Sequence, residues 1–171
     1  MKRNRYVVAN TSMKRSATPE DNAEKQLAGF VAKFDVKDRR LIRSVRKAVR
    51  KRFSTANELV YDNYNFFVIG YSPTERPSDA IVSIAARANG VGLCFIHGVK
   101  LPDPGKLLQG SGNQTRFIHL ESAKTLARPE VEALIAVAIA QAKAPLPVTG
   151  RGKLIIRSVS AKQRPRRKRV T

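Results

Sequence analysis

Residues 80–97 read AIVSIAARANGVGLCFIH. Two apolar segments rich in β-branched side chains flank the dipeptide Asn89-Gly90, which is typical of a tight hairpin turn because both central positions of such a turn require positive φ. The stretch therefore predicts two antiparallel strands, over 80–86 and 91–97, with the turn at Asn89-Gly90.

Similar short apolar segments lie on both sides of this hairpin, at 59–61, 65–71, 116–120 and 153–159. They are separated by turn-forming residues and by a loop rich in proline and glycine. Because short connections join antiparallel neighbours, we predict an antiparallel sheet of five to six strands.

Three helices complete the predicted fold. The first begins at Thr18-Pro19, where a hydroxyl can cap free amides and proline suits the first turn, and runs over 19–33. Asp35 is the predicted cap of the second, and the third covers about 129–142. The pattern indicates a single α+β domain with the antiparallel sheet packed against two N-terminal helices and one C-terminal helix.

Charge is distributed very unevenly along the chain. The formal net charge is +20, yet all 13 acidic residues lie between Glu20 and Glu132, so both ends are strongly basic. We predict a basic N-terminal arm over 1–17, a domain over 18–159 and a basic C-terminal tail over 160–171.

Basic side chains are most concentrated in the second helix and in the C-terminal tail. If the apolar stripe of the helix faces the core, its bases face solvent, where binding to phosphates is favoured by counterion release. The alternative is that the basic face of this helix is simply exposed to solvent and binds no polyanion. The residues predicted to bind nucleic acid or another polyanion without sequence specificity are Arg39, Arg40, Arg43, Arg46, Lys47, Arg50, Lys51, Lys162, Arg164, Arg166, Arg167, Lys168 and Arg169.

The chain also carries several short motifs in a defined order. They are ELVYDNYN (58–65), GYSPTE (70–75), SDAI (78–81), GVKLPDP (98–104), LLQGSG (107–112) with Arg116, and GKLIIRSVSAKQRPRR (152–167). Together they resemble the YdhG-like domain of unknown function found in bacteria, over roughly residues 20–167.

The resemblance implies an α+β fold, a cytoplasmic location and no established enzymatic activity. Some members of that family are described as frataxin-like iron chaperones, which makes iron binding an alternative function. The chain departs from the family pattern at Asn113, where a lysine is usual, and at Phe117, where a histidine is usual. Both departures weaken an anion-binding role for the loop that contains Asn113.

Residues suited to catalysis or to metal binding are scattered. His97 and His119 are 22 positions apart, without the paired spacing of common metal sites, and Gly110-Ser111-Gly112 lacks the context of a nucleophile motif. We therefore predict no catalysis, no metal site and no cofactor. For the iron alternative, the best candidates are Glu20, Asp21 and Glu24, although their charges are also explained by the start of a helix.

A small-ligand pocket is a further possibility, because polar and aromatic residues gather near the predicted turns. The loop over 101–113 has two interpretations. One is a purely structural turn at Asp103, and the other is an anion-binding site formed by backbone amides beside Arg116. The candidate pocket residues are Tyr61, Asp62, Tyr64, His97, Asp103, Ser111 and Arg116.

Two further observations concern location. No apolar run approaches the ~18 residues that a membrane helix needs, so we predict a cytoplasmic protein without membrane attachment. Cys94 is the only cysteine, which excludes an internal disulfide and is compatible with a reducing compartment. The oligomeric state is left open.

Overall fold

The computed structural model describes residues 16–168 and contains three α-helices and six strands in that range. In chain order these are α1 (Pro19–Ala32), α2 (Val36–Arg52), β1 (Asn57–Asp62), β2 (Phe67–Ser72), β3 (Val82–Arg87), β4 (Gly90–Phe95), β5 (Arg116–Leu120), α3 (Pro129–Ala140) and β6 (Leu154–Val159). The predicted α+β class and the three helices are confirmed.

The two N-terminal helices begin at the predicted caps. The Thr18 hydroxyl accepts a hydrogen bond from the Asp21 amide at 3.1 Å, while the Asp21 carboxylate accepts one from the Thr18 amide at 2.9 Å. Asp35 accepts from the Asp38 amide at 2.9 Å in the same way. These bonds satisfy amides that the helix leaves free, which is why a few residues fix each starting point.

The sheet has the strand order β5-β4-β3-β2-β1-β6. Each pair from β1 to β5 is antiparallel, as predicted, but β6 lies parallel to β1, so the expectation of a wholly antiparallel sheet is wrong. The connection from β5 to β6 carries α3 and crosses the whole sheet. A connection of that length permits a parallel neighbour, whereas the short turns earlier in the chain do not.

The predicted hairpin is present, but its turn lies one residue earlier than expected. Ala88 and Asn89 are the two turn residues, Arg87 pairs with Gly90, and the positive φ of 131° belongs to Gly90. A Cβ on Gly90 would lie 2.6 Å from Cε1 of His119 on the neighbouring strand. The positive φ is the reason that glycine is favoured here, since the exposed His119 ring could rotate away from a Cβ.

The helices cover one face of the sheet. Alternate residues of β2, namely Phe67, Ile69 and Tyr71, are fully buried beneath them, and those of β3 and β4 follow the same alternation. The opposite face of β3 and β4 carries small residues and lies open to solvent in part. This division places the apolar core on one side and leaves a shallow concave surface on the other.

Gly152 sets the close approach of the chain to the sheet just before β6. Its amide donates to the Ser54 carbonyl at 3.1 Å, and a Cβ at this position would lie 1.6 Å from the Ala56 carbonyl oxygen. Backbone atoms cannot rotate away as a side chain can. Any side chain here must therefore displace β6 or the residues that lead into β1.

We expect Gly152→Ala to lower the free energy of unfolding by roughly 2–3 kcal/mol because of this clash. Gly29→Ala is the matched control, since a Cβ there has no neighbour within 4 Å, and alanine in α1 should stabilise by up to ~1 kcal/mol. Urea denaturation at neutral pH measures both. Equal effects of the two substitutions would contradict the packing described for Gly152.

Candidate nucleic-acid interface

The C-terminal segment, defined here as residues 160–168, lies against the turn between β1 and β2. The Ser160 amide donates to the Asp62 carbonyl at 2.9 Å, and the Arg164 amide donates to the Tyr64 carbonyl at 2.9 Å. The Gln163 side-chain amide donates to the Asp62 carbonyl at 2.8 Å. The segment has no helix or strand of its own, yet these bonds hold it on the domain.

Asp62 is the anchor of this arrangement. Its side chain is fully buried at the end of β1 and pairs with Lys33, the residue that caps the C-terminus of α1, and with Arg166, whose Nη2 lies 2.9 Å from Oδ1. Arg166 is itself only 2% exposed and also donates to the Asn63 carbonyl. Two cations therefore neutralise a carboxylate that burial would otherwise make very costly.

The ion pairs of Asp62 show that the predicted roles of two residues are wrong. Arg166 was predicted to bind anions, but it is buried against Asp62 and is not accessible to a phosphate. Asp62 was predicted to line a ligand pocket, but its carboxylate is occupied by the two cations. Of the predicted basic ends, residues 1–15 and Arg169 lie outside the described residues.

Arg167 binds the end of α1. Its Nε donates to the Lys33 carbonyl at 3.1 Å and its Nη2 to the Ala32 carbonyl at 3.4 Å. These are among the last carbonyls of the helix, where the dipole is negative and a cation is favourable. The contact fixes the position of the side chain while leaving the residue exposed.

A groove of about 660 Å³ lies between the C-terminal segment and the two turns β1–β2 and β3–β4. We call it the cationic groove. Its lining residues are Asn65, Phe66, Arg87, Ala88, Asn89, Arg164, Pro165, Arg167 and Lys168. Four of these nine are cationic and none carries a carboxylate, so the groove presents a concentrated positive field.

Exposed aromatic rings hold two of the arginines in place. Cζ of Arg87 lies 5.4 Å from the ring centroid of Phe66, and Cζ of Arg164 lies 5.6 Å from that of Tyr64. The rings are 38% and 50% exposed, so each pair sits at the surface. Cation–π contacts of this kind orient a guanidinium without neutralising its charge.

Two of the predicted bases on α2 have a structural role instead. Arg46 makes paired hydrogen bonds of 2.7–3.0 Å to Glu24 of α1 and to Glu58 of β1, and Arg50 lies 3.1 Å from Glu24. The Tyr71 hydroxyl donates to the same Glu58 carboxylate at 3.0 Å. This network joins both N-terminal helices to the sheet and removes its two arginines from the predicted anion surface.

The remaining predicted bases on α2 are accessible. Arg40, Arg43, Lys47 and Lys51 are exposed and Arg39 is half-buried, and none of them forms an ion pair within residues 16–168. We call these five the outer face of α2. Exposed Lys162 adds a further positive charge on the C-terminal segment.

The candidate pocket residues do not form one site. Tyr61 projects from β1 on the face opposite Asp62, and Tyr64 lies in the exposed β1–β2 turn. His97 contacts the Gln114 amide at 2.8 Å, and burial is the main cause that lowers the pKa of its imidazole. These side chains line no shared cavity in the described part of the chain.

The hydrogen bonds of the loop over 101–113 support its interpretation as a structural turn rather than as an anion-binding site. Asp103 accepts hydrogen bonds from the amides of Leu107 and Leu108 at 2.9 and 2.8 Å. The Arg116 guanidinium donates to the carbonyls of Thr115 and Gly112 and so binds the loop itself, and Ser111 is exposed beside it.

The carboxylates considered for iron already have other partners. Asp21 closes the cap of α1, Glu24 binds Arg46, and Glu20 lies 3.5 Å from Arg151. Within residues 16–168 no group of three His, Cys, Asp or Glu side chains is placed to hold a metal ion. In the same range, no helix combines the length and the apolar character needed to cross a bilayer.

Sequence reasoning missed the contribution of Arg87, Asn65, Phe66 and Asn89 to the groove. They lie in two turns that are more than 20 positions apart, and the C-terminal segment lies a further 70 or more positions along the chain. The only local signal was an arginine next to a hairpin turn. No pattern within one segment indicates that three such segments meet.

Comparison with known proteins returned no matching family model, curated protein or solved structure. The resemblance to the YdhG-like domain therefore stays a prediction.

We expect Arg166→Met to lower the free energy of unfolding by roughly 3 kcal/mol, because it leaves Asp62 buried with Lys33 alone. Arg164→Met should change it by less than ~1 kcal/mol, since Arg164 is exposed and forms no ion pair among the described residues. Urea denaturation at pH 7 measures both. Asp62→Asn combined with Arg166→Met should recover part of the loss, and a fully additive double variant would contradict the coupling.

The pH dependence of the stability of Glu24→Gln tests the hydrogen-bonded network around Arg46. The hydrogen bond from Arg46 is the main cause that lowers the pKa of Glu24 below its ordinary value of 4.5. The stabilisation that the ionised Glu24 carboxylate provides is therefore complete above pH 4.5. It is lost as the pH falls through the lowered pKa of Glu24 in the folded state. We expect the variant to be less stable at pH 7 and the deficit to shrink steadily in acid, as followed by urea denaturation.

Glu130→Gln is the control for this series, because the Glu130 carboxylate lies 3.6 Å from an exposed Arg128 and outside the network. Its effect should remain below ~0.5 kcal/mol. A Glu24→Gln deficit that is independent of pH would show that the lost stability is not electrostatic.

Proposed function

We propose that this chain is a non-enzymatic, cytoplasmic module of the YdhG-like type that binds nucleic acid and related polyanions through the cationic groove. One observation carries the proposal: four cationic side chains from two separate parts of the chain line one groove without a carboxylate among its lining residues. The partner is recognised by its phosphates.

The strength of such a site follows from its charge. If each of the four cations contacts one phosphate of a duplex, the logarithm of the binding constant falls with the logarithm of salt concentration at a slope of about −3.6. Arg87 and Arg164 are already oriented by aromatic rings, which reduces the conformational entropy lost on binding. Affinity should therefore be high at low salt and modest at physiological salt.

The chemistry of the groove supports binding rather than catalysis. Its lining residues are arginine, lysine, asparagine, phenylalanine, alanine and proline. The groove has no histidine, cysteine, aspartate, glutamate, serine or threonine among these lining residues, the types that most often act as a general base or nucleophile. Phosphates can be held there, but no group is placed to activate water.

The outer face of α2 supports the same function at longer range. Arg167, which lines the groove, donates to the Lys33 carbonyl at 3.1 Å, two residues before Asp35, the cap of α2. The cationic groove therefore adjoins the start of α2. Exposed bases along the helix add to the field that attracts a polyanion, and that contribution is strongly screened by salt.

The test compares two variants that remove equal charge. Arg87→Gln/Arg164→Gln/Lys168→Gln neutralises the groove and leaves Arg167 to bind the end of α1. Arg43→Gln/Lys47→Gln/Lys51→Gln neutralises the outer face of α2. Neither set takes part in an ion pair within the described residues.

We expect the groove variant to flatten the salt dependence of binding to a random-sequence 20-base-pair duplex by roughly 2–3 units of slope, measured by fluorescence polarisation between 50 and 200 mM salt. The α2 variant should flatten it by less than about 1 unit. Equal effects would mean that net charge alone governs binding. The absence of salt-sensitive binding by the unmodified chain would overturn the proposal.

A further inference from the structure

The open face of the sheet contains a second concave surface, which we call the sheet trough. Its volume is about 540 Å³, within the range of ligand sites in proteins. It lies on β3, β4 and β5, on the side away from the helices, and extends to Phe66 in the β1–β2 turn.

The strand register explains the shape of the trough. In one cross-strand row, Val68 of β2 is followed by Ala85, Gly92 and His119. In the next, Gly70 is followed by Ser83, Cys94 and Phe117. The β3 and β4 positions of these two rows thus carry only small side chains, while the β5 positions carry the rings of His119 and Phe117.

The walls of the trough are aromatic and accessible. Phe117 on β5 is 37% exposed and Phe66 on the opposite side is 38% exposed. The His119 ring is held over Gly90, where its Cε1 approaches closely. Large exposed aromatic side chains around a cavity are unusual on a surface in contact with water alone, and they favour a flat, partly apolar occupant.

The trough and the cationic groove are continuous. Phe66, Arg87 and Asn89 line both of them. A molecule that places phosphates beside Arg164 and Lys168 can therefore extend across Phe66 onto the floor formed by Ala85 and Gly92. The junction joins a surface that attracts phosphate to one that accepts an unsaturated ring.

We propose that the preferred partner is a single-stranded nucleic acid, with its phosphates in the cationic groove and at least one unpaired base stacked on Phe117 or Phe66 in the sheet trough. This inference rests on the proposed function and names its partner. Stacking on aromatic side chains accepts any base, so the binding needs no particular sequence.

A duplex fits the combined surface less well. Its bases are stacked and paired inside the helix, so they cannot reach Phe117 on the sheet without being unpaired, and only the phosphates remain for the groove. A second copy of the chain is disfavoured by charge, since each copy has a formal net charge of +20 and the trough borders a cationic surface.

The experiment compares two fluorescein-labelled 12-nucleotide strands with equal numbers of phosphates, one of thymidines and one of abasic residues, at 50 mM salt. We expect the thymidine strand to bind at least 10-fold more tightly. Phe117→Leu should weaken its binding by 5-fold or more while leaving the affinity for the abasic strand unchanged. Leucine retains the apolar contact with the sheet but cannot stack on a base.

Val99→Ala is the matched control, because Val99 is also an exposed apolar residue and does not line the trough. It should bind both strands as the unmodified chain does. Cys94 on the floor gives a second readout: the thymidine strand should slow the reaction of its thiol with a maleimide, and the abasic strand should slow it less.

Equal affinity for the thymidine and abasic strands would overturn this inference and leave polyanion binding intact. Failure of both strands and of the duplex to bind would overturn both proposals. If Phe117→Leu changed a self-association equilibrium in sedimentation but left both strand affinities unchanged, the trough would be an interface between copies of the chain and the inference would be wrong.

Discussion

The buried carboxylate of Asp62 is the constraint on which the surface of this protein depends. A fully buried carboxylate is tolerated only when cations and hydrogen bonds compensate its lost hydration, and Lys33 and Arg166 do so from opposite directions in the sequence. Their pairing joins α1, β1 and the C-terminal segment. This ion pair acts together with the backbone hydrogen bonds of Ser160 and Arg164 to hold the cations of that segment beside the β1–β2 turn.

The positive charge of the chain is divided between two roles. Arg46, Arg50 and Arg166 lie among carboxylates and stabilise the junctions between elements. The bases of the groove and of the outer face of α2 remain exposed. Deleting the C-terminal segment would therefore be an ambiguous way to remove surface charge, because it would also leave Asp62 without its closest arginine. Substitution of single exposed basic residues removes surface charge and leaves the buried ion pairs intact.

Local signals in the sequence placed the helix starts correctly and the β3–β4 turn to within one residue, whereas contacts between distant segments were not predictable. The caps at Thr18 and Asp35 need only neighbouring residues, so both helix starts were predictable. The parallel position of β6 and the burial of Arg166 depend on where the chain returns after α3. Composition alone suggested a free basic tail, since nothing within that segment shows that a carboxylate on β1 needs a partner.

The C-terminal segment owes its order to the surface beneath it, because it has no helix or strand of its own. Such a segment can detach as a unit at a lower free-energy cost than global unfolding requires. The groove exists only while the segment is docked, so the apparent dissociation constant for the proposed polyanion binding is the intrinsic value divided by the docked fraction. Substitutions that weaken the Asp62 ion pairs would thus weaken the proposed polyanion binding without changing any residue that lines the groove.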